Sequence, residues 1–373
     1  MAKALESCVS FCKKEIVLSV AAVLALISMI FIPPSFSYIS YIDWNTMALL
    51  FSLMAVVKGF QEAGLFETMG NLLLTRTDSV RKMLSVLVFL PFVSSMVITN
   101  DVALITFVPF GMIVLRMAKQ ERLMIPLVVM QTIAANLGSI FTPMGNPQNL
   151  YLYTKSGISF GHFCLIMLPY MLISALGLAL LIFMRRPSPI KSVSTQAKLG
   201  SFRTLACSSA GFVLCIMGLF KIIPPVFVAI LTAMFLLIKN RQLLAKIDYS
   251  LLGTFFALFI FIGNIGCIDG FRSFISEALY GHEELVSVLT SQIISNVPAA
   301  LLLSGITIQW KALIVGCNLG GLGTLIASMA SLISYKIVAK EYPSQCKKYF
   351  ATFTLYNVCF LAVLLVVSFW LQK

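Results

Sequence analysis

Charged residues are scarce in this chain. Only 11% of its 373 residues are Asp, Glu, Lys or Arg, whereas 59% are hydrophobic and the mean hydropathy is +0.97. A water-soluble domain of this size does not bury that proportion of apolar side chains, so the composition excludes a soluble protein. We therefore expect an integral membrane protein whose main partner is the lipid bilayer.

Motifs for metal binding and catalysis are also lacking. The nine cysteines lie mostly inside apolar segments and form no CxxC pair, which argues against disulfides and against a metal centre. No His-Glu zinc motif, nucleophile–base pair or Gly-rich phosphate loop occurs, so an enzyme is not expected. The sequence predicts no cofactor other than a coupling sodium ion or proton.

The excess of positive charge does not indicate nucleic acid as a partner. The net charge is +13, but the basic residues lie in short loops between apolar runs, where they set the orientation of a membrane protein. A basic stretch at 185–203 is one of these loops, and we expect it to be solvated and cytoplasmic.

A repeat is the most informative feature that is present. Residues 136–142 recur as 318–324, an offset of 182 that also aligns Leu150 with Leu332 and Tyr153 with Tyr335. Upstream of each copy, a polar group interrupts apolar sequence, at Thr99-Asn100-Asp101 and at Ser295-Asn296-Val297-Pro298. Duplicated polar, Gly-rich breaks in a very hydrophobic chain are typical of a repeat-built secondary transporter.

The apolar runs predict an all-α membrane protein. We expect spans near 16–32, 43–60, 124–153, 163–184, 204–220, 225–239, 248–266, 312–335 and 349–370. The predicted parts of this one membrane domain are an N-terminal cytoplasmic segment and first transmembrane helix (1–42), repeat 1 (43–184), a basic cytoplasmic linker with connecting helices (185–247) and repeat 2 (248–370).

Two further segments, 83–115 and 285–308, are interpreted as re-entrant hairpins. A helix over 83–115 would be about 50 Å long, too long for a hydrocarbon core of about 30 Å, and arms split at Thr99-Asn100-Asp101 are short for full crossings. With both segments as hairpins, five of the 27 Lys and Arg residues fall outside, Lys58 lies near a helix end, and the other 21 are cytoplasmic. This satisfies the positive-inside rule.

That topology inverts repeat 2 relative to repeat 1. It places the N-terminus in the cytoplasm and the C-terminus in the periplasm of an inner-membrane protein. The predicted fold class is therefore an inverted-repeat secondary transporter with two re-entrant hairpins and broken transmembrane helices.

Asp101 is the strongest single candidate for a functional residue. It is the only charge in 83–115, and a carboxylate within a membrane segment is costly unless it has a role, such as holding sodium or carrying a proton. The alternative is that Asp101 caps a helix starting at Val102. Likewise, Asn100 and Asn296, preceded by Thr99 and Ser295, either form a site or cap the hairpin arms.

The two breaks, the first rich in Gly and Pro and the second in Gly, supply the other candidates, although close helix packing by small residues is an alternative for their glycines. The expected substrate-binding residues are Thr99, Asn100, Asn136, Thr142, Asn146, Asn149, Ser295, Asn296, Asn318, Thr324 and Ser328. The expected ligands of a coupling ion are Asn100, Asp101, Gly138, Gly145 and Asn296, with sodium at Asn100 and Asp101.

These residues resemble the ion transporter superfamily, which includes arsenite permeases, citrate and dicarboxylate permeases and certain sodium/proton antiporters. The likeness rests on the Asn-centred tips and on the strings at 145–150 and 317–320, and it is closest to bacterial inner-membrane members called YbiR-like. It implies alternating access, and among relatives sodium or proton coupling and homodimers are common. Dicarboxylate carriers have a Ser-Asn-Thr tip in both repeats, from which Asp101 and Val297 depart. The Asn-Asp tip resembles the arsenite branch, although Asn318 stands where that branch usually has Asp.

The favoured function is therefore a coupled carrier for a small anion or oxyanion. A sodium/proton antiporter is the alternative, for which Asp101 is the best argument. A channel is a further alternative, which the broken helices in an inverted repeat disfavour.

Overall fold

The structure, a computed structural model, describes residues 15–75, 77–190, 199–239 and 241–371. These residues form helices and no β-strand; one isolated bridge pairs Ser79 with Pro189. The α-helices are α1 Ile16–Phe31, α2 Tyr38–Tyr41, α3 Trp44–Glu62, α4 Leu65–Leu74, α5 Val80–Ser94, α6 Asn100–Met117, α7 Met124–Ser139, α8 Pro147–Ser156, α9 Phe160–Phe183, α10 Phe202–Leu219, α11 Pro225–Lys239, α12 Arg241–Leu244, α13 Tyr249–Gly266, α14 Asp269–Leu279, α15 Glu283–Ile294, α16 Asn296–Ser304, α17 Trp310–Leu319, α18 Met329–Glu341 and α19 Cys346–Leu371. Short 3₁₀ helices occupy Glu121–Leu123 and Pro343–Gln345.

Several of these helices are long and apolar enough to cross a membrane. Within the described ranges they are Asn100–Met117, Phe160–Phe183, Phe202–Leu219, Tyr249–Gly266 and Pro343–Leu371, and α3 with α4 makes a sixth if this pair, bent by 51°, is one span. The prediction of an all-α, multi-pass membrane protein is confirmed. The helices at α1 and α11 are apolar but shorter than a full span.

The predicted breaks coincide with ends of helices. The 124–153 segment consists of α7 and α8 separated at 140–146, and the 312–335 segment consists of α17 and α18 separated at 320–328. The 285–308 segment divides at Ser295, whose φ of +76° is a left-handed conformation that a non-glycine residue seldom adopts. Prolines and glycines remove or weaken helical hydrogen bonds at the two longer breaks.

One length argument for the first hairpin was wrong. Its second arm was expected to be 14 residues over 102–115, but α6 has 18 residues and is about 27 Å long. An arm of that length is sufficient to cross a membrane, whereas α5, with 15 residues, is short for a full crossing. The first arm and the charge distribution still support a hairpin there.

The described chain divides into two compact units. The first comprises the described residues of 1–58, 211–282 and 301–308, and the second comprises those of 59–210, 283–300 and 309–373. In the first unit α1 packs along α13, where the Nδ2 of Asn264 donates to Ser28 Oγ and to the Tyr38 hydroxyl, both at 2.9 Å. These boundaries do not follow the predicted repeats, and the predicted 1–42, 43–184, 185–247 and 248–370 division stays a prediction.

The second unit is built around α7. Every residue of α7 except Pro126 is buried, including its polar residues Gln131, Thr132, Asn136 and Ser139. Helices α5, α6, α9 and α19 pack against it, and α15 packs against α17 in the same unit.

The basic linker is partly fixed to this unit. Val80 donates its main-chain N–H to Ser188, Ile190 donates to Asp78, and Gly200 donates to Ala63. The ends of the linker are therefore bonded to the unit rather than fully solvated. The predicted cytoplasmic residues of 1–14, Lys191 and Lys198 in the linker, and the C-terminal Lys373 lie outside the described residues.

Candidate functional site

The first polar tip is bonded to the break between α7 and α8. The main-chain N–H of Asn100, at the first turn of α6, donates to the carbonyl of Gly145 at 3.1 Å. The side-chain nitrogen of Asn100 donates to Asn136 Oδ1 at 2.9 Å, and its Oδ1 accepts the N–H of Asp101 at 2.9 Å. Asn100 is 4% exposed. Its side chain thus forms hydrogen bonds both within the first turn of α6 and with α7.

Asp101 is not the helix cap that the sequence alternative required. Helix α6 begins at Asn100, with Thr99 as the preceding cap residue, whose side chain makes no capping bond. Asp101 is therefore a half-buried acid in the first turn, where the positive end of the helix dipole stabilises a carboxylate.

The second tip makes the corresponding main-chain contact. Asn296 donates its N–H to the carbonyl of Ala327 at 3.0 Å, and Ala327 is offset from Gly145 by the same 182 residues as the sequence repeat. The Ser295 hydroxyl lies 3.4 Å from both the Ala327 carbonyl and Asn296 Oδ1. Both residues are buried.

A second pair of contacts also recurs. The Thr142 hydroxyl donates to the carbonyl of Met96, and the Thr324 hydroxyl donates to the carbonyl of Gln292 at 3.3 Å. The two threonines are 182 residues apart, and each acceptor lies three residues before Thr99 or Ser295. Thr142 is buried, whereas Thr324 is exposed. The two copies therefore differ in how exposed this threonine is.

Asn136 joins the two copies. Its Oδ1 accepts from Asn100 and also from the Ser328 hydroxyl at 3.2 Å, while its Nδ2 lies 3.4 Å from Ser331 Oγ. One turn earlier on α7, the Thr132 hydroxyl donates to Ser334 at 2.8 Å. These side chains are all buried, so the first broken helix and the second meet through a polar seam.

The other predicted asparagines are buried with spare acceptor capacity. Asn146 Nδ2 donates to Ser139 Oγ at 2.6 Å, Asn149 Nδ2 lies 3.3 and 3.4 Å from the carbonyls of Ser139 and Thr142, and Asn318 Nδ2 donates to Ile314 at 2.8 Å. Their Oδ1 atoms have no hydrogen-bond partner among the described residues. A buried unpaired amide oxygen is costly unless something binds it.

Asn318 differs from Asn136, its counterpart in the first copy, because among the described residues it makes no hydrogen bond to the seam. Its amide nitrogen bonds to Ile314 in its own helix. Asn136, at the corresponding position of the first copy, instead bonds across to the first tip and to Ser328.

Gly138 and Gly145 mark close main-chain approaches. A Cβ on Gly138 would clash with the carbonyl of Phe92, and a Cβ on Gly145 would clash with the carbonyl of Ser139. The packing alternative for these glycines therefore has direct support. Their assignment as ion ligands remains a prediction.

Sequence reasoning missed Gln292. Its side chain donates to the carbonyls of Gly320 and Leu322 and accepts from the N–H of Thr324, each at 2.9 Å. A glutamine within the uncharged 285–308 segment was a signal for a buried polar contact.

The amino-acid sequence is similar to a known protein family and to several known proteins. The sequence profile of the family described as Citrate transporter matches residues 8–312, well over half of the chain, and ends in the first turn of α17, before the second break. The inner membrane protein YbiR of Escherichia coli is 28% identical over 308 residues, covering 81% of this chain and 82% of that protein. The uncharacterized transporter MJ0456 of Methanocaldococcus jannaschii is 30% identical over 298 residues, covering 79% and 81%.

A plant relative is similar over a shorter region. The silicon efflux transporter LSI3 of rice, Oryza sativa subsp. japonica, is 36% identical over 132 residues, which is 35% of this chain and 27% of that protein. The family and two of these three relatives are described as transporters, and none is described as an enzyme. This multi-pass helical chain matches the family profile over 8–312 and therefore belongs to the Citrate transporter family.

Proposed function

We propose that this protein is a secondary active transporter that moves a small anion, either a carboxylate or an oxyanion such as arsenite, across the inner membrane. Transport is coupled to sodium ions or protons and proceeds by alternating access. Family membership supports the transport class. The substrate class is argued from the chemistry of the polar seam.

The observation that carries the proposal is the meeting of helix N-termini at one buried asparagine. Asn136 Oδ1 accepts from Asn100, in the first turn of α6, and from Ser328, which precedes α18. The N-terminus of α8 follows Gly145, which Asn100 also contacts, and that of α16 begins at Asn296, which bonds to Ala327. Helix N-termini present free N–H groups and positive potential, which favour an anion.

The same region offers oxygen ligands for a coupling ion. Asp101 carries a carboxylate in the first turn of α6, and Asn146 and Asn149 have buried amide oxygens without a described partner. Carboxylate and carbonyl oxygens at a broken helix are suitable ligands for sodium. We place the coupling ion near Asn100 and Asp101.

The inverted repeat and its orientation belong to this proposal. The matched pairs of contacts, Asn100 with Gly145 and Asn296 with Ala327, support structural equivalence of the two copies. The charge distribution supports two re-entrant hairpins, a cytoplasmic N-terminus and a periplasmic C-terminus. Because homodimers are common among relatives, we expect a homodimer.

A sodium/proton antiporter is the second candidate, and Asp101 is the observation that favours it. An acid in a membrane helix is suited to alternate between a proton and sodium. The anion carrier is preferred because Asp101 is the only carboxylate in 83–115 and the helix N-termini favour negative charge.

Transport by the purified protein in liposomes tests the proposal. Internal pH is followed while gradients of citrate, succinate, arsenite, sodium or lithium are imposed one at a time. We expect a signal that depends on an anion and that loses its coupling in Asp101→Asn. A signal from sodium or lithium alone, abolished by Asp101→Asn, would establish the antiporter instead. Fully coupled, pH-independent transport by the variant would contradict the role of Asp101.

A further inference from the structure

The side chain of Gln292 bonds to the main chain of the second break. Gln292 lies in α15, three residues before Ser295. Its Nε2 donates to the carbonyls of Gly320 and Leu322 at 2.9 Å, with a longer contact of 3.3 Å to Val288 in its own helix. Its Oε1 accepts the N–H of Thr324 at 2.9 Å. One amide therefore binds three main-chain groups within five residues.

These contacts supply hydrogen-bond donors to carbonyls that follow the end of α17. Gly320 and Leu322 lie just beyond the last residue of α17, where carbonyls have no intrahelical donor and require other partners. Main-chain carbonyls that converge where a membrane helix unwinds are also the groups that coordinate a cation in transporters. At Gly320 and Leu322 the partner is the NH₂ group of Gln292, which supplies partial positive charge without an ion.

Gly323 adapts the loop to this side chain. Its φ is +103°, and a Cβ at this position would clash with Gln292 Oε1. Only glycine adopts this conformation readily and leaves space for the amide. The conformation of the loop at Gly323 therefore leaves room for the side chain of Gln292.

The first copy lacks this amide. The hydroxyl–carbonyl bond from Thr324 to Gln292 has its counterpart from Thr142 to Met96, so Met96 holds the position of Gln292. A methionine side chain has no N–H to donate. The two breaks thus share a main-chain arrangement but differ in what satisfies it.

We propose that the side-chain amide of Gln292 takes the place of a cation in the second copy, so that a coupling sodium ion binds only in the first. Sodium binding in the first copy rests on the proposed transport function. The role of Gln292 in holding residues 318–328 is a structural property and is testable without transport.

Gln292→Glu is the decisive variant, because it keeps the shape of the side chain and replaces the NH₂ donor by an acceptor. Amide hydrogen exchange of the full-length protein in detergent is measured by mass spectrometry at pH 8, where the carboxyl group is ionised. Peptides covering 318–328 are compared in choline chloride and in sodium chloride at equal ionic strength. In the wild type we expect the same exchange in both salts.

For Gln292→Glu we expect exchange at 318–328 to be faster by about tenfold or more in choline chloride, because several hydrogen bonds are lost together. Sodium chloride should restore protection, since sodium is able to bridge the new carboxylate and the two carbonyls. Gln292→Met, which introduces the residue of the first copy, should lose protection in both salts. Gln345→Glu, the same chemical change in a 3₁₀ helix, should behave like the wild type.

Two results would overturn the proposal. One is sodium-dependent protection of 318–328 in the wild type, and this measurement decides even if the variants fail to fold. The other is unchanged exchange of Gln292→Glu in choline chloride. Failure of every liposome transport assay would defeat the proposed function while leaving these exchange results as they stand.

Discussion

The side-chain nitrogen of Asn100 donates to the side-chain oxygen of Asn136 at 2.9 Å. This bond joins the first polar tip to the last turn of the buried helix α7. Because Asn136 also accepts from Ser328, it connects the first turn of α6 with the residue that precedes α18. A chain of two hydrogen bonds through one amide therefore links the first tip to the second broken helix.

Asn100→Ala should impair transport more than stability. It removes the donor to Asn136 but leaves the bond from Ser328, so we expect a loss of stability toward the lower end of about 1–3 kcal/mol. If the same energy is lost from the transport transition state, the rate falls about tenfold or more. Initial rates in liposomes and thermal unfolding in detergent measure the two effects.

The matched control for this change is Asn45→Ala, at an exposed asparagine, which should alter neither quantity. Transport by Asn100→Ala at the wild-type rate would show that the Asn100–Asn136 contact is only structural.

Gly138→Ala should destabilise the protein. The new Cβ would meet the Phe92 carbonyl and Ser95 Oγ, and a main-chain carbonyl is unable to rotate away, so α5 and α7 must separate. We expect a cost of about 1–3 kcal/mol, measured as a lower unfolding temperature in detergent.

Gly161→Ala is the matched control for Gly138→Ala. Gly161 lies in α9, and nothing lies within 4 Å of its added Cβ. An open helical glycine gains stability on this change, by up to about 1 kcal/mol. Equal effects of the two substitutions would exclude close packing as the role of Gly138.

The sequence predicted where the helices break, because Gly and Pro have local effects. The interruptions at 140–146, at Ser295 and at 320–328 all follow from residues that weaken helical hydrogen bonds. The repeat also predicted that Asn100 and Asn296 would hold similar positions, and both donate main-chain N–H groups to a break.

Contacts between distant segments were beyond prediction. The start of α6 at Asn100 rather than Val102 accompanies its bond to Gly145, 45 residues away. The pairing of Gln292 with Gly320, 28 residues away, likewise depends on how helices pack. Side-chain type and spacing do not determine these directions.

Ser368→Ala should destabilise the second unit. The Ser368 hydroxyl donates to Glu284 Oε2 and shares a hydrogen bond with the Tyr170 hydroxyl, each at 2.8 Å. Ser368 and Tyr170 are buried, so the substitution removes bonds that link α9, α15 and α19. We expect a loss of about 1–3 kcal/mol, seen as a lower unfolding temperature. Ser344→Ala, at an exposed serine, should leave it unchanged, and an equal effect of both variants would show that the link contributes nothing.

A reporter enzyme joined after Lys373 should report a periplasmic location, and one inserted within 191–198 should report the cytoplasm. Each segment that crosses the membrane exchanges the sides of everything after it, so the position of the C-terminus depends on whether 83–115 and 285–308 return to their side of entry. Because α6 has 18 residues and is long enough to cross, the first segment is the one most in need of this test. A cytoplasmic C-terminus together with a cytoplasmic linker would mean that the second segment crosses. A periplasmic linker would mean that the first one does. The two fusions together therefore test each hairpin separately, and a periplasmic C-terminus with a cytoplasmic linker is the result that the inverted repeat requires.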